Sequence, residues 1–375
     1  MEDSDNHVDY FNYTNESEDS NFSYYESYYN GTDDTAGPRD VIKKVSLALY
    51  FLTCLLGVPG NAAVVWIAGC KMRRTVNTIW FVNLAVADLF CCLSIPFSVV
   101  EIFLDHHWPY GNAMCKVLSS VIIINMFASV FTLTLISLDR FALVIKPVWA
   151  QNHRKLSLAW ILCGVAWMLS LGLSLPTMIL KGTRSDEFFN VTLCTYHHDS
   201  DAYSYYDEDQ TPDRSALKTI GTIRFVFGFL FPLITITVCY AFIAQRLRAS
   251  RFRSDKAFRI MLAVVVTFFL CWVPYHVAGL VQDYGEEQIS QVAFMLDPLA
   301  LSLAYINSCL NPVLYVFMGQ DFKSQVRLSL RRVFENAFSE GTTNTTVHTK
   351  GQKCSASNSS AMQLQYVTSH QTHSF

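Results

Sequence analysis

The sequence predicts an all-α membrane protein, a seven-transmembrane helix bundle with a short amphipathic helix after span seven. Three observations carry this. Of 375 residues, 51% are hydrophobic and only 16% are charged, whereas water-soluble domains carry about 25% charged residues. Seven apolar runs lie near 43–69, 77–104, 114–138, 156–180, 217–245, 257–282 and 290–318. Each is long enough to cross a bilayer, which takes about 20 apolar residues as helix. A soluble protein buries one or two such runs, not seven in series. Finally, the bases gather in alternate loops.

Residues 1–40 precede the first span. They hold eleven acids against the single Arg39, with Tyr10, Tyr13, Tyr24, Tyr25, Tyr28 and Tyr29 interleaved. Such a segment cannot bury enough apolar surface to fold alone and is expected to be a disordered acidic arm. It has no basic stretch followed by an apolar core, so no cleavable signal peptide is visible and the first span is expected to insert the chain. Sequons at Asn12, Asn15, Asn21 and Asn30, and at Asn190 in a later loop, suit an extracellular face.

Orientation follows from the loops. Lys71, Arg73 and Arg74 follow span one, and Lys146, Arg154 and Lys155 follow span three. Arg246, Arg248, Arg251, Arg253 and Lys256 follow span five, and Lys323, Arg327, Arg331 and Arg332 follow span seven. The loop between spans four and five is acidic instead, "DSDAYSYYDEDQTPD" (199–213). The positive-inside rule puts the N-terminus outside and the C-terminus in the cytoplasm; the expected location is the plasma membrane. Of eleven cysteines, only Cys115, at the outer start of span three, and Cys194, in the loop after span four, form an evident extracellular pair. They can bond if that loop folds back over the bundle.

Residues 41–318 thus form the membrane domain. In 319–338, Phe322, Val326, Leu330, Val333 and Phe334 recur at helical spacing between bases, the pattern of a helix lying in the inner interface. The tail, 339–375, is polar and rich in Ser and Thr, a substrate for kinases or an inert extension.

Three sets of charges stand out within the spans. Asp139 and Arg140 end a run of seventeen uncharged residues, "VIIINMFASVFTLTLIS". Ionisable groups at a membrane boundary mark function or anchoring. Asp88 is the one carboxylate in mid-span, costly unless partnered, and serves either an ion or as structural polar glue. Arg224, before "FVFGFLFP", suits a carboxylate, which a guanidinium grips with two parallel bonds; a helix-end anchor is the alternative. No His/Cys/Asp cluster has catalytic or metal spacing, so an enzyme is not expected, nor a nucleic-acid partner. A transporter or channel would need a polar path that Asp88 alone does not supply.

The chain resembles the rhodopsin-like G-protein-coupled receptors over about residues 40–338. The resemblance rests on Gly60–Asn61, "NLAVADL" (83–89), Cys115, "DRF" (139–141), Trp167, Pro232 with Tyr240, "CWVP" (271–274) and "NPVLY" (311–315). It implies that Asp139 holds Arg140 in the silent state, and that Arg140 later engages a G protein near Tyr240 and Tyr315. It also implies that Trp272 and Phe268 relay the change, and that Asp88, Asn125, Ser129, Asn307 and Asn311 hold an allosteric sodium ion, with no other cofactor. Arrestin and receptor kinases join the G protein as implied partners, with membrane lipids around the bundle.

"HHWPYGNAMC" (106–115), "WAQNHRKLSLAW" (149–160) and "AYINSCLNPVLYVFMGQDF" (304–322) resemble the chemoattractant branch of that family, which includes receptors for complement C5a, C3a, chemerin and formyl peptides. Within it, Lys181, Arg224 and Asp297 resemble the C5a-binding members most, with Tyr275 a further ligand contact. An acid that those members carry shortly before Arg224 is here Leu217 or Lys218. The expected ligand is a basic, C5a-like protein with a free C-terminal carboxylate, acting through an inhibitory-class G protein in chemotaxis; a receptor for chemerin or another chemoattractant peptide is the alternative. The arm would steer its cationic body, helped by sulfation of the six arm tyrosines or of Tyr203, Tyr205 and Tyr206, and the pocket would take its tail. A scavenger that binds the same ligand without signalling is disfavoured because Arg140 is kept.

Overall fold

The computed structural model describes residues 36–186, 191–196, 214–249 and 256–318. The arm with its sequons and tyrosines, Asn190, residues 199–213, the 319–338 segment and the tail lie outside the described residues.

Seven described helices are long and apolar enough to cross a membrane. Span one is Ala36–Trp66, extended by a π-turn to Lys71; span two is Val76–Phe103, and span three Gly111–Ile145. A short helix, Pro147–His153, leads to span four, Leu156–Leu180. Two strands follow, β1 (Lys181–Asp186) and β2 (Val191–Tyr196). Span five comprises Arg214–Phe225, a π-turn Val226–Leu230 and Phe231–Ala249; span six is Lys256–Tyr284, and span seven Glu287–Met318.

The helices outrun the apolar runs that announce them, because a helix continues into polar residues once its hydrogen bonds are established. Span one begins at Ala36, so residues 36–40, expected to be irregular, are helical. Span three continues past residue 138 to Ile145, and Asp139 and Arg140 therefore sit inside a helix rather than at its end. Thr75 starts span two by accepting a hydrogen bond from the Thr78 backbone N–H at 3.2 Å, satisfying one of the orphan donors of a first turn.

Span three is the axis of the bundle. In its most apolar stretch 67% of residues are buried, against 22% in spans one and four. Phe51, Leu55, Met168 and Leu270 on the outer helices are exposed, as suits side chains that face lipid. Close approaches need small residues: a Cβ on Gly60 would come within 3.0 Å of Pro312 Cβ, and one on Gly228 within 2.7 Å of Met126 Cε. The π-turn in span five precedes Pro232. A proline ring clashes with the carbonyl four residues back, here Gly228, and widening the turn so that Phe231 N–H reaches Val226 O relieves it. Interhelical polar contacts pin the register. Trp167 Nε1 donates to Asn83 Oδ1 at 2.9 Å, and Asn61 Nδ2 to the Ser308 carbonyl at 2.8 Å.

The strands pair antiparallel, Lys181 opposite Tyr196 and Thr183 opposite Cys194. Cys194 is bonded to Cys115, so the loop does fold back onto span three. The "HHWPYG" turn braces it from the other side: Trp108 N–H donates to Thr192 O at 2.7 Å, and Thr192 N–H to His107 Nδ1 at 3.2 Å. Asp105 and His106 adopt positive φ (51° and 68°) in that turn.

Candidate functional site

The hairpin end of the bundle holds the expected cations. Arg224 projects from span five among spans four, five and six and strand β2. Its Nη1 donates to the Tyr275 hydroxyl at 2.9 Å, and its Nη2 to Thr177 Oγ1 at 2.9 Å and to the Tyr196 hydroxyl at 3.1 Å. Among the described residues it makes no ion pair. A half-buried guanidinium is therefore held by three hydroxyls, none of which neutralises it. Lys181 lies over the Tyr196 ring, 5.4 Å from its centroid. Burial opposes ionisation of Tyr196, but Arg224 and Lys181 outweigh it and pull the hydroxyl below the usual tyrosine range. Asp297, on span seven, accepts a long 3.4 Å bond from Gln282 and lies within electrostatic reach of Lys181 and of Glu101 at the end of span two.

Tyr275 joins this pocket to the core. Its ring meets Trp272 edge-on at 5.6 Å, and Trp272, fully buried, lies 5.9 Å from Phe268. The expected aromatic relay is thus one contact away from Arg224.

Asp88 is fully buried midway along the bundle. It accepts from Asn125 Nδ2 at 3.1 Å and from Asn311 Nδ2 at 2.7 Å. Around it Asn125 Oδ1, Ser129 Oγ, Asn307 Oδ1 and Asn311 Oδ1 are buried without partners. Each such orphan costs about 1–3 kcal/mol. A carboxylate among neutral oxygens is the donor chemistry of a small hard cation, so these residues fit the sodium ion that the resemblance implied. All five expected ligands are buried.

At the opposite end the arrangement differs from expectation. Asp139 is gripped by Arg154, Nε to Oδ1 at 2.8 Å and Nη2 to Oδ2 at 3.0 Å, where Arg140 was expected. Arg140 Nη2 donates to Asn77 Oδ1 at 2.7 Å. Consecutive helical residues point in different directions and do not face each other, whereas Arg154 approaches Asp139 from outside the helix. Tyr240, on span five, lies within electrostatic reach of Arg140. Tyr315 belongs to span seven, but its side chain lies outside the described residues.

Sequence reasoning missed Tyr196, Thr177, Asn77 and the pairing of Arg154. Arg154 had been read only as one more inner-loop base. Nothing in the spacing of Tyr196 or Thr177 pointed to Arg224; they meet it through the hairpin and the end of span four.

A seven-helix bundle with a disulfide-tethered hairpin over one end, a buried polar centre and a cluster of charged side chains at the other end is the architecture of a membrane receptor. Residues 60–315 match the family described as "7 transmembrane receptor (rhodopsin family)", and the chain belongs to that family, as a multi-pass protein of the plasma membrane. It is 55% identical over 361 residues to a C3a anaphylatoxin chemotactic receptor of Oncorhynchus mykiss, covering 94% of this chain and 96% of that one. With a receptor of the same name from Danio rerio it shares 61% over 312 residues (83% and 82% covered). With C5a anaphylatoxin chemotactic receptor 1 of Homo sapiens it shares 39% over 335 residues (86% and 92% covered). It is therefore a receptor of the chemoattractant group, but the preference for C5a drawn from Lys181, Arg224 and Asp297 is not carried by these identities, which are higher to receptors named for C3a.

Proposed function

We propose that the chain is a signalling receptor for an anaphylatoxin, a basic folded protein that ends in a free carboxylate. The observation that carries this is Arg224, a half-buried guanidinium oriented by Tyr275, Thr177 and Tyr196 that makes no ion pair among the described residues, with Asp283 only within electrostatic reach. Such a group is an anion seat prepared in advance, and the ligand's terminal carboxylate completes it. Lys181 adds a second positive charge, and Asp297 offers an acid to a basic side chain of the same tail. In this reading the hairpin end faces outward, and the acidic arm of residues 1–35, glycosylated at its sequons and sulfated on its tyrosines, attracts the cationic body.

The identities to the Oncorhynchus and Danio receptors favour C3a as the ligand. C5a is the second reading, because Lys181, Arg224 and Asp297 resemble those of the C5a-binding members.

Carboxylate binding draws on Tyr275, and the Tyr275–Trp272–Phe268 contacts pass the displacement into span six. When that helix moves, Arg140 leaves Asn77 for the opened cleft beside Tyr240 and Tyr315, where an inhibitory-class G protein docks. Sodium at Asp88, with Asn125, Ser129, Asn307 and Asn311, supplies a positive charge that favours the silent packing. The tail then serves receptor kinases and arrestin.

The test is a panel of C3a, C5a, chemerin and a formyl peptide on cells expressing the full chain, read as inhibition of cellular cAMP. A response to an anaphylatoxin at concentrations where the other two classes are silent supports the reading. Binding without any cAMP change, in cells rich in the G protein, would favour a scavenger instead.

A further inference from the structure

Spans five and six meet at the hairpin end over a glycine. A Cβ on Gly221 would collide with Asp283 Oδ2, so the carboxylate of span six lies against bare backbone of span five. Lys218 and Arg224 stand one turn before and one turn after Gly221 in the helix Arg214–Phe225, and residues three apart share a face. Asp283 is thus bracketed by two bases, both within electrostatic reach, and among the described residues it forms an ion pair with neither. Neighbouring contacts hold it there. The Tyr284 and Thr222 hydroxyls lie 2.8 Å apart, and Lys218 Nζ sits over the Tyr284 ring, 5.3 Å from its centroid.

Arg224 donates to Tyr275, Thr177 and Tyr196, so Asp283 acts on it through its field and not through a bond. A fixed negative charge beside the guanidinium weakens its pull on any incoming anion, because half-buried charges are only partly screened. The loss is the same for every carboxylate. A small anion with no other contact is left too weak to stay, whereas a peptide that also meets Lys181 and Asp297 still binds. Lys218 keeps the arrangement reversible: once a ligand carboxylate fills the seat, Asp283 retains a base on its other side.

We propose that Asp283 is a specificity-determining residue of the Arg224 seat, a resident carboxylate that opposes ligand carboxylates and reserves the guanidinium for a tail with further contacts. This rests on the carboxylate reading of Arg224. Gly221 positions the acid, since a side chain there would push Asp283 off span five.

Two measurements on the full chain in lipid nanodiscs test this. The first is competition binding of synthetic C-terminal peptides of C3a and of C5a, each as free acid and as amide, against the labelled parent protein. Asp283→Asn, which keeps the shape and removes the charge, should tighten the free acids about fivefold, the size of a partly screened ion pair, and leave the amides nearly unchanged. Gly221→Ala should act in the same direction and add nothing in an Asp283→Asn background. In an Arg224→Ala background Asp283→Asn should not alter the free acids. The second measurement needs no peptide and no G protein: thermal stability titrated with sodium acetate, against sodium chloride at equal ionic strength. Acetate should stabilise Asp283→Asn at about fivefold lower concentration than wild type, and the gain should vanish when Arg224→Ala is added. Free acids that bind wild type and Asp283→Asn alike, or equal gains for acid and amide, overturn the proposal. A loss of free-acid affinity does so too, and makes Asp283 a contact for a basic side chain instead. Peptides that all fail to bind, with acetate separating the variants as expected, would count against the anaphylatoxin reading and leave the Asp283 assignment standing.

Discussion

Arg224 and Tyr275 are joined by a 2.9 Å hydrogen bond between spans five and six, and the far edge of Tyr275 rests on Trp272. One side chain thus contacts both the charge at the pocket and the aromatic core of span six. In the proposed reading binding and response are coupled through it, and its two halves are separable by mutation. Tyr275→Phe keeps the ring contact and removes the hydroxyl. Agonist affinity should fall modestly, by about 1 kcal/mol, with the maximal cAMP response largely kept. Tyr275→Ala should reduce that maximum as well.

Arg224→Ala should weaken an agonist with a free C-terminal carboxylate by about 2–5 kcal/mol and leave its C-terminally amidated form nearly unaffected. Competition binding with the two peptide forms measures this. Equal losses for both would remove the carboxylate seat from the account.

The lowered pKa of Tyr196 gives the pocket an alkaline limit. As pH rises through the lowered value, still below the usual tyrosine pKa of about 10, Tyr196 becomes a phenolate paired with Arg224 and competes with the ligand's carboxylate. Affinity should therefore decline on the alkaline side in wild type. In Tyr196→Phe, which has no phenol to ionise, the decline should begin at higher pH.

In the proposed reading sodium favours the silent state, so replacing NaCl by N-methylglucamine chloride at constant ionic strength should raise agonist affinity. Asp88→Asn should abolish the difference, because it removes the only charge among five buried ligands. Constant ionic strength matters: the acidic arm also loses attraction as salt rises.

Reducing the Cys115–Cys194 bond should abolish agonist binding before the bundle unfolds. The bond closes a sequence separation of 79 residues, worth about 2–5 kcal/mol in typical domains, and Tyr196 lies two residues beyond it on β2. Radioligand binding with and without dithiothreitol, alongside thermal stability in the same detergent, distinguishes the two losses.

Much of this was readable in the chain. Lipid admits only long apolar helices, so the seven runs and their alternating bases announce themselves without reference to a fold. The disulfide followed from which cysteines the predicted topology placed on one side. Asp88 and Arg224 were conspicuous because charge in an apolar run is costly. The resemblance named Asn125 and Asn311 beside Asp88, but the partners of Arg224 were not readable as such. Tyr196, Thr177 and Tyr275 are far apart in sequence and converge on Arg224 only when the hairpin closes over the spans.

Asp139 illustrates the division most clearly. Its place beside Arg140 suggests a pair, yet adjacent positions on a helix diverge, and the carboxylate turns to Arg154, fifteen residues on. Composition and hydrophobic period alone determined the bundle, its span order and the residues that bear charge in it, because the bilayer acts on each segment separately. Which charge meets which was decided by tertiary structure, because side-chain pairing depends on the angle and height at which whole helices are packed.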